Sequence, residues 1–274
     1  MSFLKNLFGG KSPAPSQTPV AQAALVQTRT GVRERYFYKE YYDKVLADST
    51  AFDQETKKQY DQLIAERGPE YNGYKIIEFQ LSDGLLIQLT TAYSRGDSVQ
   101  SLIPLYEKAV YHFVKSWDSD DFIYNQVLRI ISLGWLLNSQ HSLTQLATLF
   151  SREKFGDKLI NYLLHPEKPG DEPDQSLLFP DDEGLTLLWD ITQSDKELAA
   201  KKMKVYLENY WYTPDNLDTN YNSHLTNKGS HFGYWAFEAG AISKIMKLDD
   251  GSYQKNEFYP YDLVHWQEYH EPSR

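Results

Sequence analysis

SVQSLIPLYEKAVYHFVKSW, Ser98 to Trp117, sets Leu102, Leu105, Tyr106, Ala109, Val110, Phe113, Val114 and Trp117 at steps of three and four. That spacing returns the apolar side chains to one face of a 3.6-residue turn, whereas the period of a strand would scatter them over two faces. The stretch predicts an amphipathic helix, with Ser98 or Ser101 capping its start.

The same period extends in both directions. Tyr36–Glu66 reads as one long helix or two, stopped by Gly68-Pro69. Tyr74–Tyr93 follows with Ile77, Leu81, Leu85, Leu89 and Ala92, and ends at Arg95-Gly96-Asp97. Phe122–Leu137 carries Tyr124, Val127, Leu128, Ile131 and Trp135 on one face, with Asn138 as its C-terminal cap. Ser142–Phe150 and Lys154–Leu164 are shorter, and His165-Pro166 closes the second. Glu183–Thr192 offers Leu185, Leu188 and Trp189, and Ser194-Asp-Lys-Glu197 is a capping box opening a helix to about Tyr212. A polar stretch, Thr213–Lys228, leads to a helix expected from about Ser230 to Lys247, and the aromatic tail Phe258–Trp266 is expected to pack back on the body. No stretch alternates as a strand does, and no clean repeat occurs. The fold class is therefore all-α: a multi-helix bundle of antiparallel helix hairpins.

Composition divides the chain. Residues 1–30 read as a flexible tail, a short Phe3/Leu4/Leu7/Phe8 segment followed by the Pro/Ser/Gln/Ala-rich Lys11–Thr30. Residues 31–166 form an N-terminal helical region and 183–274 a C-terminal one, expected to pack as one globule. Between them, 167–182 (EKPGDEPDQSLLFPDD) holds three prolines and reads as an acidic exposed loop.

With 274 residues and aromatics at 15%, the chain can bury a large core rich in rings. The absence of Cys excludes disulfides, thiolate metal sites and cysteine nucleophiles. Apolar runs such as Gly84–Ile87 and Gly134–Leu137 are far too short to span a bilayer, and Lys5 interrupts the only apolar patch near Met1, so no secretory signal is read and a cytoplasmic location is expected. The formal net charge is −10; residues 1–35 hold +4 and the remainder −14. A body this acidic repels nucleic acid and attracts basic partners, and it also serves plain solubility.

Motifs for chemistry are missing. The dinucleotide, P-loop and nucleophile-elbow signatures do not occur, so no cofactor is expected. None of the seven His pair as H-x-x-x-H; His224 and His231, with Asp218 nearby, read as surface hydrogen-bonding groups in preference to a metal site. Asp181 together with Glu55-Thr-Lys57 imitates a metal-dependent nuclease motif, but Glu55 and Lys57 fall in a helical stretch and in the wrong order.

Two acidic clusters are more informative. Asp118, Asp120 and Asp121 sit between two predicted helices. Asp171, Glu172, Asp174, Asp181, Asp182 and Glu183, with no Lys or Arg among them, surround Leu177-Leu178-Phe179. Carboxylates around an exposed apolar knob suit a protein partner with a basic site, because charge steers the encounter and the knob supplies burial. Acids also gather at helix N-termini and in loops without any partner. Glu238 lies among His231, Phe232, Tyr234, Trp235 and Phe237. With Ala236, Ala239, Gly240 and Ser243 forming a small-residue face, it reads as a structural acid that meets a buried hydroxyl or indole in a packed helix.

Gly233-Tyr-Trp-Ala-Phe-Glu-Ala-Gly-Ala-Ile, Lys247-Leu-Asp-Asp250-Gly-Ser-Tyr and Tyr259-Pro-Tyr-Asp-Leu263 resemble the C-terminal signature of the PoNi family. Tyr36–Trp117 and Ile131-Ser-Leu-Gly-Trp-Leu-Leu137 look like its N-terminal half, so the resemblance spans roughly residues 32–265. It implies an all-helical, non-enzymatic immunity protein that binds a cognate DNase effector of a bacterial secretion system, type VI being the expected one, and blocks its catalytic cleft. It carries over no contact residues, so the acidic candidates rest on charge alone. It implies neither direct nucleic-acid binding nor membrane association, and leaves the oligomeric state open. The competing reading is a helical adaptor that holds another protein in an apolar groove. An enzyme would need Glu238, His224 and His231 to converge beside Asp218.

Overall fold

The structure, a computed structural model, describes residues 31–68, 73–167, 176–216, 220–226 and 229–266. The tail 1–30, the acids Asp171, Glu172 and Asp174, and Asp218 lie outside the described residues. The described residues form ten α-helices: α1 (Lys39–Arg67), α2 (Tyr74–Arg95), α3 (Val99–Ser116), α4 (Tyr124–Leu136), α5 (Gln140–Arg152), α6 (Lys158–Leu164), α7 (Glu183–Thr192), α8 (Lys196–Asn209), α9 (Phe237–Met246) and α10 (Tyr261–His265). A 3-10 turn covers Ser223–Leu225, and the described residues contain no strand.

Two helices are buried almost all round, and the others are arranged about them. In α4, Val127, Ile130, Ile131, Leu133 and Leu136 have no exposed surface, and in α9 every residue from Phe237 to Ser243 is buried. Each such Leu or Ile contributes about 1.5–3 kcal/mol relative to leaving it in water. α4 and α9 pack directly on each other. Gly240 permits this closeness, since a Cβ there would come within 2.7 Å of Pro260 and 3.2 Å of Leu136. The small-residue face read from the sequence thus receives α4 on one side and the start of α10 on the other.

The end of α4 is tied down by its neighbours. The Leu136 carbonyl, which has no partner within the helix, accepts from Lys244 Nζ at 3.0 Å and Trp266 Nε1 at 2.9 Å. Asn138 follows at φ 54°, the left-handed geometry of a C-terminal cap.

The N-terminal helices stack in sequence, α1 on α2 and α2 on α3. Gly96 closes α2 at φ 102°, a conformation costly for any other residue, and its N–H returns to the Tyr93 carbonyl. With only Gly96-Asp97-Ser98 between them, α2 and α3 can pack along each other only with the chain reversed. α1 is one unbroken helix of 29 residues, which settles the one-or-two question.

Four local expectations are corrected. Ser98 occupies the N-cap position of α3 without a side-chain cap bond; its carbonyl accepts instead from Ser101 Oγ at 2.6 Å. The cap of α8 is Asp195, which accepts from Leu198 N at 3.0 Å, while Ser194 Oγ bonds back to the Asp190 carbonyl. α6 begins at Lys158 and not near Lys154, because Lys154 takes φ 52° and Asp157 caps the helix. Residues 230–236 are not helical: Phe232 O accepts from Ser94 Oγ, Tyr234 O from Trp211 Nε1, and Ala236 N donates to Phe258 O, so backbone groups that a helix would use go to tertiary partners.

Candidate functional site

A cleft of about 900 Å³ opens where α4, α7 and α8 meet the loop after Asn209. Its walls combine Ile123, Tyr124 and Gln126 from the start of α4, Phe179 and Asp181–Glu183 before and at the start of α7, and Tyr206 and Asn209–Trp211 from the end of α8. Asp83 of α2, Asp215 and Glu238 complete a set of six carboxylates, with Arg129 the one cation among the described lining residues.

One buried carboxylate places the acidic rim. Asp157 has no exposed surface, yet it accepts from Ile160 N at 2.8 Å, Leu178 N at 2.8 Å and the Tyr124 hydroxyl at 3.1 Å. It therefore caps α6, fixes the backbone two residues after Ser176, and ties both to the start of α4. Burial first, and then the neighbouring Asp157, push the Tyr124 hydroxyl well above its ordinary range, so Tyr124 stays a donor at every physiological pH. Leu177 is drawn into the core at 6% exposure by this anchoring. The expected apolar knob is thereby reduced to Leu178 and Phe179, both exposed, with Phe179 edge-on to Tyr124 at 5.1 Å.

The sequence-derived acids divide into three sets. Asp181, Asp182 and Glu183 are exposed and border the cleft; Asp182 also caps α7 by accepting from Leu185 N at 2.9 Å. Asp118, Asp120 and Asp121 lie in the link between α3 and α4. Asp118 is engaged there: Lys75 pairs with it at 3.0 Å and holds its carboxyl below the ordinary range, and Asp120 N donates to it at 3.1 Å. Asp120 and Asp121 are exposed. Asp171, Glu172 and Asp174 lie outside the described residues.

Glu238 is 2% exposed and accepts from the Tyr206 hydroxyl at 2.9 Å, the buried hydroxyl partner expected of a structural acid. It also reaches the floor of the cleft, which local spacing did not indicate. The two histidines are not among the lining residues. His231 Nδ1 meets Ser223 Oγ at 2.9 Å and its Nε2 lies 3.4 Å from Glu34, while His224 Nδ1 meets the Tyr234 hydroxyl at 2.8 Å. Both thus belong to a polar cluster that clasps residues 31–38 to the segment around Ser223. Burial lowers the pKa of His224, with His231 adding to the effect. Among the described residues no group of three or more His, Asp or Glu side chains is placed to hold a metal ion, and no helix is long and apolar enough to cross a membrane. Glu55 and Lys57 stand exposed on the helix α1 and so share no strand with Asp181.

Three kinds of comparison bear on this arrangement. Family models of the PoNe immunity proteins (PoNi) match the chain twice, the N-terminal model over residues 33–148 and the C-terminal model over residues 155–263. Among solved structures, Protein PA2201 from Pseudomonas aeruginosa matches with a TM-score of 0.58 at 18% sequence identity, over 90% of this chain and 94% of that one. At that identity the likeness extends to the fold alone. No curated protein matches the sequence.

Proposed function

The chain belongs to the PoNe immunity protein (PoNi) family, and on that premise we propose that it neutralises a cognate DNase effector by covering the effector's catalytic cleft with an acidic helical surface. The family is one of immunity proteins and not of enzymes, and its membership implies a PoNe nuclease effector as the protein neutralised. The finer points are our reading: a DNase, delivered by a type VI secretion system, met in the cytoplasm before it reaches DNA.

The observation that carries the reading is the rim formed by Asp181, Asp182 and Glu183 together with Asp215, set beside exposed Phe179 and Ile123. A nuclease must carry a basic cleft to hold phosphate, and its affinity for any polyanion rises with the charge it meets. Carboxylates at the rim steer such a partner, and the exposed apolar side chains supply area to bury once it has docked. A single rim charge of this kind is worth little alone, so several must act together.

Co-purification of this protein with the product of the adjacent effector gene, repeated at rising salt, tests the reading. The expected result is a stable complex that abolishes DNA cleavage at equimolar ratio, weakens with salt, and loses affinity when Asp181 and Asp182 are neutralised. Undiminished DNA cleavage at tenfold excess would sink it.

A further inference from the structure

In the wall of the cleft one buried polar group is left unmatched. Gln126 of α4 borders the cleft and is 5% exposed, yet its Nε2 has no hydrogen-bond partner among the described residues. A buried N–H without an acceptor costs about 1–3 kcal/mol. Such groups are few in folded proteins, and each calls for a reason.

Arg129 apart, the charged side chains lining the cleft around Gln126 are all carboxylates. Asp181, Glu183 and Asp215 make no ion pair among the described residues, though all three line the same cleft. Exposed Phe179 and half-buried Tyr210 add aromatic surface to the walls. Carboxylates beside rings favour a guanidinium over an ammonium, since the planar group stacks on aromatic faces and forks two N–H bonds onto one carboxylate. The unmatched Gln126 amide asks for an acceptor, which a peptide carbonyl supplies. An arginine side chain and a peptide carbonyl arrive together on the tip of a loop. A cleft of about 900 Å³ has the size of a site for a short segment of chain.

We propose that this cleft is a socket for an arginine-bearing loop of the nuclease effector. The guanidinium sits against Asp181, Glu183 and Asp215, and the Gln126 amide, sealed in the wall of the free protein, turns outward so that Nε2 donates to one backbone carbonyl of the loop. This rests on the immunity reading and adds the place and chemistry of the anchor. Because Gln126 is unmatched in the free protein, it contributes to recognition at the expense of stability, which gives the socket a signature that a merely structural residue lacks.

The test measures affinity for the purified nuclease domain of the cognate effector, at fixed low salt, by calorimetry. Gln126→Met, which keeps the side-chain volume, is expected to leave the thermal midpoint unchanged or raised and to weaken binding about fivefold to tenfold. Glu183→Gln with Asp215→Asn is expected to weaken it at least tenfold, while Asp48→Asn with Asp61→Asn, on the exposed face of α1, leaves it unchanged. If wild-type protein binds and both cleft variants bind equally well, the socket is overturned and the immunity reading stands. Equal weakening by the α1 pair would overturn it too, since bulk charge would then suffice. No binding by wild-type protein overturns the immunity reading for that effector, and the socket with it.

Discussion

Replacing Asp157 with Ala is predicted to destabilise the protein far more than removing an ordinary helix cap. Three donors converge on this carboxylate: Ile160 N and Leu178 N, each at 2.8 Å, and the Tyr124 hydroxyl at 3.1 Å. The cap bond alone is worth about 1 kcal/mol. Two further donors lose their acceptor in a site with no exposed surface, and each buried unmet group costs about 1–3 kcal/mol. Because the three bonds share one acceptor their costs do not simply add, and a total of about 3–5 kcal/mol is expected. Asp195 supplies the internal control: it makes the same kind of cap bond, to Leu198 N at 3.0 Å, from an exposed position. Asp195→Ala should cost only about 1 kcal/mol. Equilibrium urea unfolding of both variants reads the difference directly as a shift in midpoint at unchanged slope. A loss below about 1 kcal/mol for Asp157→Ala would refute the assignment of Asp157 as the group that anchors the acidic rim.

Other perturbations test separate parts of the structure. Gly240→Val should destabilise by about 2 kcal/mol or more, because its side chain would meet Pro260 and Leu136 where α9 crosses α4; a thermal melt reads this. Glu238→Ala should lower stability by about 2 kcal/mol, since the buried Tyr206 hydroxyl loses its acceptor. Asp53 gives a pH-dependent test. Burial pushes its carboxyl up to about 6, against the hydrogen bond from Gln88 and helped by the nearby Asp83 charge. The native state therefore binds this proton more tightly than the unfolded chain, so Asp53 weakens the fold above pH 6 and ceases to do so as pH falls towards 4. Asp53→Asn should accordingly be more stable than wild type at pH 8, with the difference closing by pH 4; a constant difference across that range would refute the raised value. The two helical regions on either side of 167–182 are proposed to unfold together, so calorimetry should give a single transition.

Helices that carry their own period were legible from the sequence. Leu102, Tyr106, Ala109, Val110 and Phe113 all point into the core, as their spacing requires. Gly96 and Asn138 end their helices in left-handed conformations that few other residues tolerate, so these stops were legible as well. Residues 230–236 misled because their ring-rich composition resembles a helix face, while the backbone is committed to Ser94, Trp211 and Phe258, partners distant in sequence. The cleft was half visible. Asp181, Asp182 and Glu183 stood out as a run without basic residues, but Asp83, Gln126 and Asp215 come from three separate segments and meet only through packing. No local pattern marks Gln126, since an amide among apolar neighbours looks the same whether or not it is matched.

The central claim, that this protein covers the effector's DNA-binding cleft, is tested most directly by competition. A catalytically inactive form of the effector's nuclease domain is loaded with fluorescent duplex DNA, and this protein is titrated in while fluorescence anisotropy is followed. The account predicts that DNA is released in step with added protein and completely at equimolar ratio. A stable ternary complex that keeps its DNA bound would contradict it.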